Sequence, residues 1–244
     1  MFYLGTAKKA SKEMQVDWSA VYQQRLEQAK DERLRSFYEA GVVSPDTPIN
    51  QVSFVAVDFE TTGFDPQKDG IVSIGLVPFN LQRIQCQGAK HWIVRPRTVL
   101  AEDSVVIHGI THSDIKSAPD FMRVLEHLLK ALEGKIVVVH HRGIERPFLD
   151  VALQKRINEG ILFPVVDTME LEARVHRNKP LSIWQRFRGH SLPSIRLVDS
   201  RERYNLPYYR QHNALTDALA TAELFLAQVS YRFSKDTPIQ ELWK

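Results

Sequence analysis

The sequence predicts a mixed α/β fold in which a five-stranded sheet is flanked by helices, and three observations support this prediction. Short apolar segments with strand character occur at residues 52–58, 71–77 and 91–94, and their connections are short enough for hairpins. In the second half of the chain, amphipathic helical patterns alternate with apolar runs at 136–139 and 162–166. Hairpins followed by strand–helix units are typical of a mixed sheet with helices on its faces.

Four helices are predicted in the part of the chain that follows the hairpins. Apolar residues recur at helical spacing within residues 119–133 and again within residues 146–158, and a glycine follows each stretch. Asp167 stands where a helix cap is expected, and residues 214–229 are rich in alanine and leucine. We therefore expect the last of these helices to be long.

The first 50 residues differ in pattern from the rest. Asp17 is a suitable helix cap before a first helical stripe, a second stripe ends at Gly41, and residues 44–48 contain two prolines that break the chain. We expect a helical N-terminal extension over residues 1–50, packed on a main domain over residues 51–244. The alternative is a separate arm that binds a protein partner, although the apolar stripes are narrow for an independent core.

Composition excludes several classes of protein. The chain has 244 residues, of which 43% are hydrophobic and 25% charged, as is usual for a globular domain. No apolar run reaches about 18 residues and the N-terminus lacks a secretory signal, so we expect no membrane span and a cytoplasmic location. The single cysteine, Cys86, excludes an internal disulfide. A net charge of +3 permits a nucleic-acid partner without requiring one.

The chemistry is centred on two acids that follow the first apolar run. Asp58 and Glu60 are two residues apart, so on a strand they lie on one face, with Phe59 turned into the core. Two carboxylates on one face repel each other unless a cation lies between them, and Mg²⁺ and Mn²⁺ prefer such oxygens. For an isolated pair, a strand end followed by a solvated turn is the alternative.

Two further elements carry acids at their ends. Glu145 follows the apolar run at 136–139 and stands at the start of a helix, while His212 and Asp217 stand at the start of the last helix. These side chains can meet at one edge of the sheet. The sequence therefore places acids at the ends of three elements.

Taken together, these blocks resemble the DEDDh group of 3′-to-5′ exonucleases, which includes the epsilon subunit of bacterial DNA polymerase III, RNase T and oligoribonuclease. The first block is residues 57–63, with the sequence Val-Asp-Phe-Glu-Thr-Thr-Gly, and the last is His212 with Asp217. His108 opens a His-Gly-Ile turn that is similar to one in the same group. The resemblance implies a ribonuclease H-like fold over residues 52–230.

The second block departs from the family pattern. Where the family has an aspartate, this chain has Glu145, and where the family has an asparagine it has His141. A glutamate keeps the charge and the ligand oxygens but extends about one methylene further, so it can still hold a metal. Asp150 is the alternative ligand, although an exposed helix position is its more ordinary role.

The resemblance also implies a mechanism. Two divalent cations, Mg²⁺ or Mn²⁺, would be held by Asp58, Glu60, Glu145 and Asp217, and His212 would act as general base. The implied reaction is release of nucleoside 5′-monophosphates from 3′ ends of single-stranded DNA or RNA. The alternatives are a nucleic-acid-binding module of the same fold with impaired catalysis, and a nuclease subunit docked to a protein partner through residues 1–50.

Substrate contacts are expected on two surfaces. Thr61, Thr62 and Phe64 follow the first acids, and with His108 they are candidates to contact the terminal nucleotide, Phe64 by stacking. Ordinary turn packing is the alternative. Arginines and aromatic residues are interleaved over residues 174–210, which predicts a substrate groove or, alternatively, a solvated helix face.

Overall fold

The computed structural model describes residues 16–98, 109–177 and 192–244. Its five strands form one sheet in the order β3-β2-β1-β4-β5, in which β1, β2 and β3 pair antiparallel and β1, β4 and β5 pair parallel. The strands are β1 (Phe54–Thr61), β2 (Ile71–Phe79), β3 (Lys90–Ile93), β4 (Ile136–Val139) and β5 (Val165–Asp167). The prediction of a mixed five-stranded sheet is thus confirmed.

Eight α-helices lie within the described residues. They are α1 (Trp18–Gln28), α2 (Glu32–Glu39), α3 (His112–Ser117), α4 (Met122–Leu132), α5 (Arg142–Ile157), α6 (Thr168–His176), α7 (Leu197–Arg203) and α8 (Ala214–Arg232). Within the described part of the chain, no helix has the length and apolar character that crossing a membrane requires.

Strand β1 is the centre of the molecule. It pairs antiparallel with β2 on one side and parallel with β4 on the other, and its residues are mostly buried. The strand runs to residue 61, three residues further than predicted, so Asp58 and Glu60 lie within the strand rather than at its end. Phe59 is buried on the opposite side, as predicted. The pairing register shifts between Glu60 and Thr61, and such irregularities often occur beside active sites.

A glycine on β2 allows the last helix to approach the sheet. Gly75 pairs with Asp58 in the sheet, and a Cβ atom at position 75 would lie 2.0 Å from the backbone oxygen of Ala214. Because only glycine leaves that space free, the N-terminal end of α8 can lie directly against β1 and β2. The residues that open α8 are therefore held beside the acids of β1.

The N-terminal helices share the core of the sheet. Asp17 caps α1 by accepting a hydrogen bond from the backbone N–H of Ala20, at 3.0 Å. Trp18 of α1 and Phe37 of α2 are buried in the same hydrophobic cluster as the strands. The boundary between an extension over residues 1–50 and a domain over residues 51–244 stays a prediction.

Two of the boundaries that differ from the predictions belong to α5 and β5. Helix α5 begins at residue 142 rather than 146, so Glu145 lies in its first turn. Strand β5 begins at Val165, and its edge is covered by the C-terminus because Val165 and Lys244 exchange two backbone hydrogen bonds of 3.1 and 2.8 Å. The strand edge is thereby paired within the chain.

Candidate active site

Three carboxylates meet at the junction of β1 and α8. One oxygen from each of Asp58, Glu60 and Asp217 lies within 4.8 Å of the other two. The first two project from the same face of β1, and the third stands in the first turn of α8. Such a set of carboxylate oxygens is what a hard divalent cation binds.

The electrostatics of the cluster reflect its crowding. Burial, together with the charges of Glu145, Glu60 and Asp217, raises the pKa of Asp58 well above its ordinary value. Burial and the nearby Glu60 raise the pKa of Asp217 to about 6, although hydrogen bonds from the backbone at His212 and Asn213 act in the opposite direction. Like charges held together in this way indicate a place for positive charge.

Glu145 faces the same cluster from α5. Its side chain is buried, and its Oε2 atom has no hydrogen-bond partner among the described residues. Burial and the charges of Asp167 and Glu60 raise its pKa to about 8. Its charge also acts on Asp58, so the fourth acid lies beside the three-carboxylate cluster although it is outside the tightest group.

The sequence indicated only a helix cap at Asp167, but in the structure the charge of this residue also acts on Glu145. It lies at the end of β5 and accepts hydrogen bonds from the backbone of Met169 and Glu170, which begin α6. It also accepts one from the backbone of Arg142, at 3.1 Å, and so fixes the start of α5. The sequence signal that could have indicated a place near Glu145 is the position of Asp167 at the end of a strand that pairs with β4.

His212 lies beside the cluster on an exposed segment. Its backbone is in the left-handed region, with φ of 66°, and its N–H donates to the Oδ2 atom of Asp217 at 2.8 Å. Asn213 then caps α8 by accepting a hydrogen bond from the backbone of Thr216. The backbone of His212 is therefore held beside Asp217, a candidate metal ligand.

The turn after β1 is held by internal hydrogen bonds. The Thr61 hydroxyl donates to the carbonyl of Gly63, and the Thr62 hydroxyl donates to Asp69 at 3.1 Å. The side chain of Phe64, by contrast, is 89% exposed and available for stacking. The substrate contacts predicted for Thr61, Thr62 and Phe64 stay predictions, and His108 lies outside the described residues.

The two histidines after β4 differ in their surroundings. The Nε2 atom of His140 lies 3.1 Å from the carbonyl of Ile195, and its Nδ1 atom lies 2.7 Å from the hydroxyl of Thr168. Burial lowers the pKa of His140 to about 4, which keeps the ring neutral. His141 is exposed with φ of 118°, an unusual conformation for a residue that is not glycine. His140 is structural and holds β4 to the segment before α7.

Two further predictions from the sequence concern Asp150, the alternative metal ligand, and the groove over residues 174–210. In both places the side chains named below bind other parts of the chain. Asp150 accepts hydrogen bonds from the backbone of Ile161 and the side chain of Gln154, so it closes the end of α5. Within the predicted groove, Arg201 forms an ion pair with Glu223. Arg203 and Tyr204 bind Glu172, and the part of the groove over residues 178–191 lies outside the described residues.

A sheet in this order, with carboxylates from its central strand and last helix gathered at one place, has the architecture that the sequence predicted, a ribonuclease H-like fold. A family model described as the RNase_T exonuclease family matches residues 55–225. The chain belongs to the RNase_T exonuclease family, and its enzyme class is that of the exonucleases, which are hydrolases. The family and the enzyme class predicted from the sequence are confirmed.

Similar proteins include bacterial polymerases and their subunits. The chain is 32% identical over 184 residues to the PolC-type DNA polymerase III of Thermotoga maritima, a match that covers 75% of this chain and 12% of that protein. It is 25% identical over 180 residues to the DNA polymerase III subunit epsilon of Treponema pallidum, covering 74% of this chain and 78% of that protein. The chain thus matches only a small part of the PolC-type relatives.

Solved structures show the same fold. The nuclease domain of 3′hExo, a DEDDh family member bound to rAMP, aligns with a TM-score of 0.59 at 18% identity, over 74% of this chain and 92% of that domain. Exonuclease X in complex with 5′ overhanging duplex DNA aligns with a TM-score of 0.51 at 21% identity, over 76% of this chain and 96% of that protein.

Proposed function

We propose that the chain is a metal-dependent 3′-to-5′ exonuclease that hydrolyses phosphodiester bonds at the 3′ end of single-stranded nucleic acid and releases nucleoside 5′-monophosphates. The observation that carries this proposal is the approach of Asp58, Glu60 and Asp217 to within 4.8 Å of one another, inside the region that matches the exonuclease family.

The residues present fit a divalent-cation site. The donors are all carboxylate oxygens, burial and the repulsion among the acids raise the pKa of Asp58, and the buried Oε2 atom of Glu145 has no partner among the described residues. Asp58, Glu60, Glu145 and Asp217 would hold two Mg²⁺ or Mn²⁺ ions. Bound there, the ions would make water a stronger nucleophile and stabilise negative charge on the leaving oxygen.

The chain itself supplies proton transfer and orientation. His212 is proposed to accept a proton at its imidazole from the attacking water, because a neutral imidazole is a base of suitable strength near neutral pH. Its position is supported by the hydrogen bond from its backbone to Asp217. Gly75 supports the same geometry, because it lets α8 bring both residues against β1.

The terminal nucleotide is proposed to lie against the turn after β1. Phe64 is exposed at that turn and can stack on a base, while Asp69 holds the turn through Thr62 and through the backbone of Asp65 at 2.9 Å. Single-stranded DNA and RNA are both candidate substrates, because we identify no described side chain that would contact the 2′-hydroxyl by which RNA differs from DNA.

The test is digestion of a single strand labelled at its 5′ end, with Mg²⁺ or Mn²⁺, on matched DNA and RNA oligomers of several lengths. We expect a ladder that shortens from the 3′ end, with nucleoside 5′-monophosphates as products, and no products from Asp58→Ala or His212→Ala. Binding of the strand by the wild type without any release of mononucleotides, under both metals, would instead favour the binding module with impaired catalysis.

A second candidate function, action as the exonuclease part of a DNA polymerase III, is favoured by the similarity to PolC-type and epsilon proteins. Deletion of residues 1–50 cannot test it cleanly, because Trp18 and Phe37 belong to the core. Charge reversal of exposed Glu27 and Arg35 avoids this problem. We expect the double variant to lose co-purification with a polymerase III catalytic subunit while keeping nuclease turnover, and unchanged co-purification would exclude docking through this surface.

A further inference from the structure

A cavity of about 580 Å³ adjoins the acid cluster on the side of α8. Leu197 and Val198 of α7 and Leu206 and Pro207 of the following segment supply apolar lining, and Asp217 lies at its border. Its volume is in the range of cavities that bind small organic groups. Since Asp217 belongs both to the cavity and to the cluster, a group in the cavity would be next to the site of hydrolysis.

The wall of the cavity is held in place by Arg201. Its buried guanidinium donates to the carbonyls of Pro207 and Ala220, at 2.8 and 2.7 Å, and pairs with Glu223 at 2.7 Å. It also lies 4.7 Å from the ring centre of Tyr209, whose hydroxyl donates to Glu223 at 2.9 Å. These contacts tie the segment between α7 and α8 to α8, so the cavity is formed without a ligand.

The cavity has the chemistry that a nucleobase requires. A base has apolar faces and polar edges, and here an apolar lining is accompanied by the polar side chains of Asn205 and Gln211. Tyr208, which also lines the cavity, has a side chain that is 75% exposed. An exposed tyrosine ring at a nucleic-acid site is suited to stacking on a base.

The cavity and the turn after β1 approach the cluster through different elements. Phe64 belongs to the turn, which follows Asp58 and Glu60, whereas no lining residue among those described comes from β1 or that turn. A strand whose terminal nucleotide lies against Phe64 and whose scissile phosphate lies at the acids would bring its next nucleotide to Asp217, at the border of the cavity. We propose that the cavity binds the base of the penultimate nucleotide, with Tyr208 stacking on it; this rests on the proposed exonuclease function.

The experiment combines variants of the cavity with changes of the substrate. Tyr208→Ala removes the stacking ring and Val198→Trp fills the cavity, while Tyr231→Ala is the matched control, because Tyr231 is 73% exposed and is not among the residues that line the cavity. Turnover is measured on an intact oligonucleotide and on oligonucleotides with an abasic unit at the terminal, penultimate or fourth position from the 3′ end.

For the wild type and Tyr231→Ala, we expect the penultimate abasic unit to slow the first cleavage about tenfold, the scale of base–aromatic stacking. Tyr208→Ala and Val198→Trp should be slow on the intact strand and insensitive to the penultimate abasic unit. Two results would overturn the proposal. One is that the variants lose turnover by the same factor on the intact strand and on the strand with the penultimate abasic unit; the other is that they change only the response to the terminal abasic unit. Tyr208→Ala decides the matter if Val198→Trp does not fold. A wild type that cleaves no substrate would instead refute the exonuclease function.

Discussion

Glu145 and Glu172 are both buried glutamates on helices that follow parallel strands, but their surroundings are opposite. Burial acts to raise the pKa of Glu172, yet hydrogen bonds from Arg203, Gln228 and Tyr204 outweigh it and hold the pKa below its ordinary value. Glu145 has acids as neighbours instead, and burial with their charges raises its pKa to about 8. The chain supplies positive charge to Glu172, whereas the charges that raise the pKa of Glu145 are those of other acids among the described residues.

We propose that this difference separates a structural acid, Glu172, from a metal-binding one, Glu145. A buried carboxylate with cations and donors around it contributes to the fold, and removal of the acid leaves those cations unpaired. A buried carboxylate among other carboxylates destabilises the fold until an external cation binds. The contrast between Glu145 and Glu172 therefore predicts opposite responses to substitution, pH and metal.

The largest expected effect is on catalysis by the acid cluster. Asp217→Asn should lower turnover by at least about a thousandfold, since it would remove one of the carboxylates proposed to hold the divalent cations. Release of mononucleotides from a labelled strand measures it. Glu172→Gln, assayed below its unfolding temperature, is the control and should keep turnover near the wild-type value. A loss of equal size in both variants would remove the distinction between the two acids.

The next effect concerns the stability provided by Glu172. Its carboxylate pairs with Arg203 at 2.7 Å and with Arg232 at 3.2 Å, and its side chain is 0% exposed. Glu172→Gln should lower the free energy of unfolding by about 3 kcal/mol, because both arginines lose their counter-charge. Urea denaturation measures the change. A free energy of unfolding equal to that of the wild type would mean that this network contributes nothing.

A smaller loss is expected at the glycine that admits α8. Gly75→Ala would place a methyl group against the backbone of Ala214, at a separation of 2.0 Å, so α8 must move. We expect a destabilisation of about 2 kcal/mol and a fall in turnover, because Asp217 moves with the helix. Thermal unfolding and the strand assay measure the two effects. Unchanged turnover would show that the approach of α8 is not required for the site.

The smallest expected effect is a gain in stability, in contrast to the losses predicted above. Because the pKa of Glu145 in the folded chain is raised to about 8, the metal-free protein loses stability as pH rises from the ordinary glutamate value through 8. Glu145→Gln removes this loss, and at pH 9 it should raise the Tm of the metal-free chain by about 2–4 °C. Glu172, with a lowered pKa, contributes stability that is lost as pH falls through that pKa. A lower Tm for Glu145→Gln at pH 9 would contradict the contrast.

What the sequence could predict depended on how local the signal was. That Asp58 and Glu60 lie on the same face of β1 follows from the two-residue period of a strand. The capping roles of Asp17 and Asp167 follow from residue type and position. The position of Glu145 came from the family pattern. These features need only neighbouring residues or a known spacing of blocks.

Contacts between distant elements could not be predicted in this way. Arg201 belongs to the stretch 174–210 that was predicted to be a substrate groove or a solvated face, but the fold buries it against α8, where it pairs with Glu223, 22 positions away. Gly75 has no local signal either, since its role depends on the approach of α8. The sequence also did not predict that β1 continues beyond Asp58 to Thr61, because polar residues such as Glu60 and Thr61 are typical of a turn.

The central claim, that Asp58, Glu60, Glu145 and Asp217 together form a site for two divalent cations, is tested most directly by calorimetric titration of the metal-free chain with Mn²⁺. The structure predicts saturable binding by the wild type and by Glu172→Gln, and much weaker binding by Asp58→Asn and by Glu145→Gln. Equal Mn²⁺ affinity in the wild type, Asp58→Asn and Glu145→Gln would contradict it.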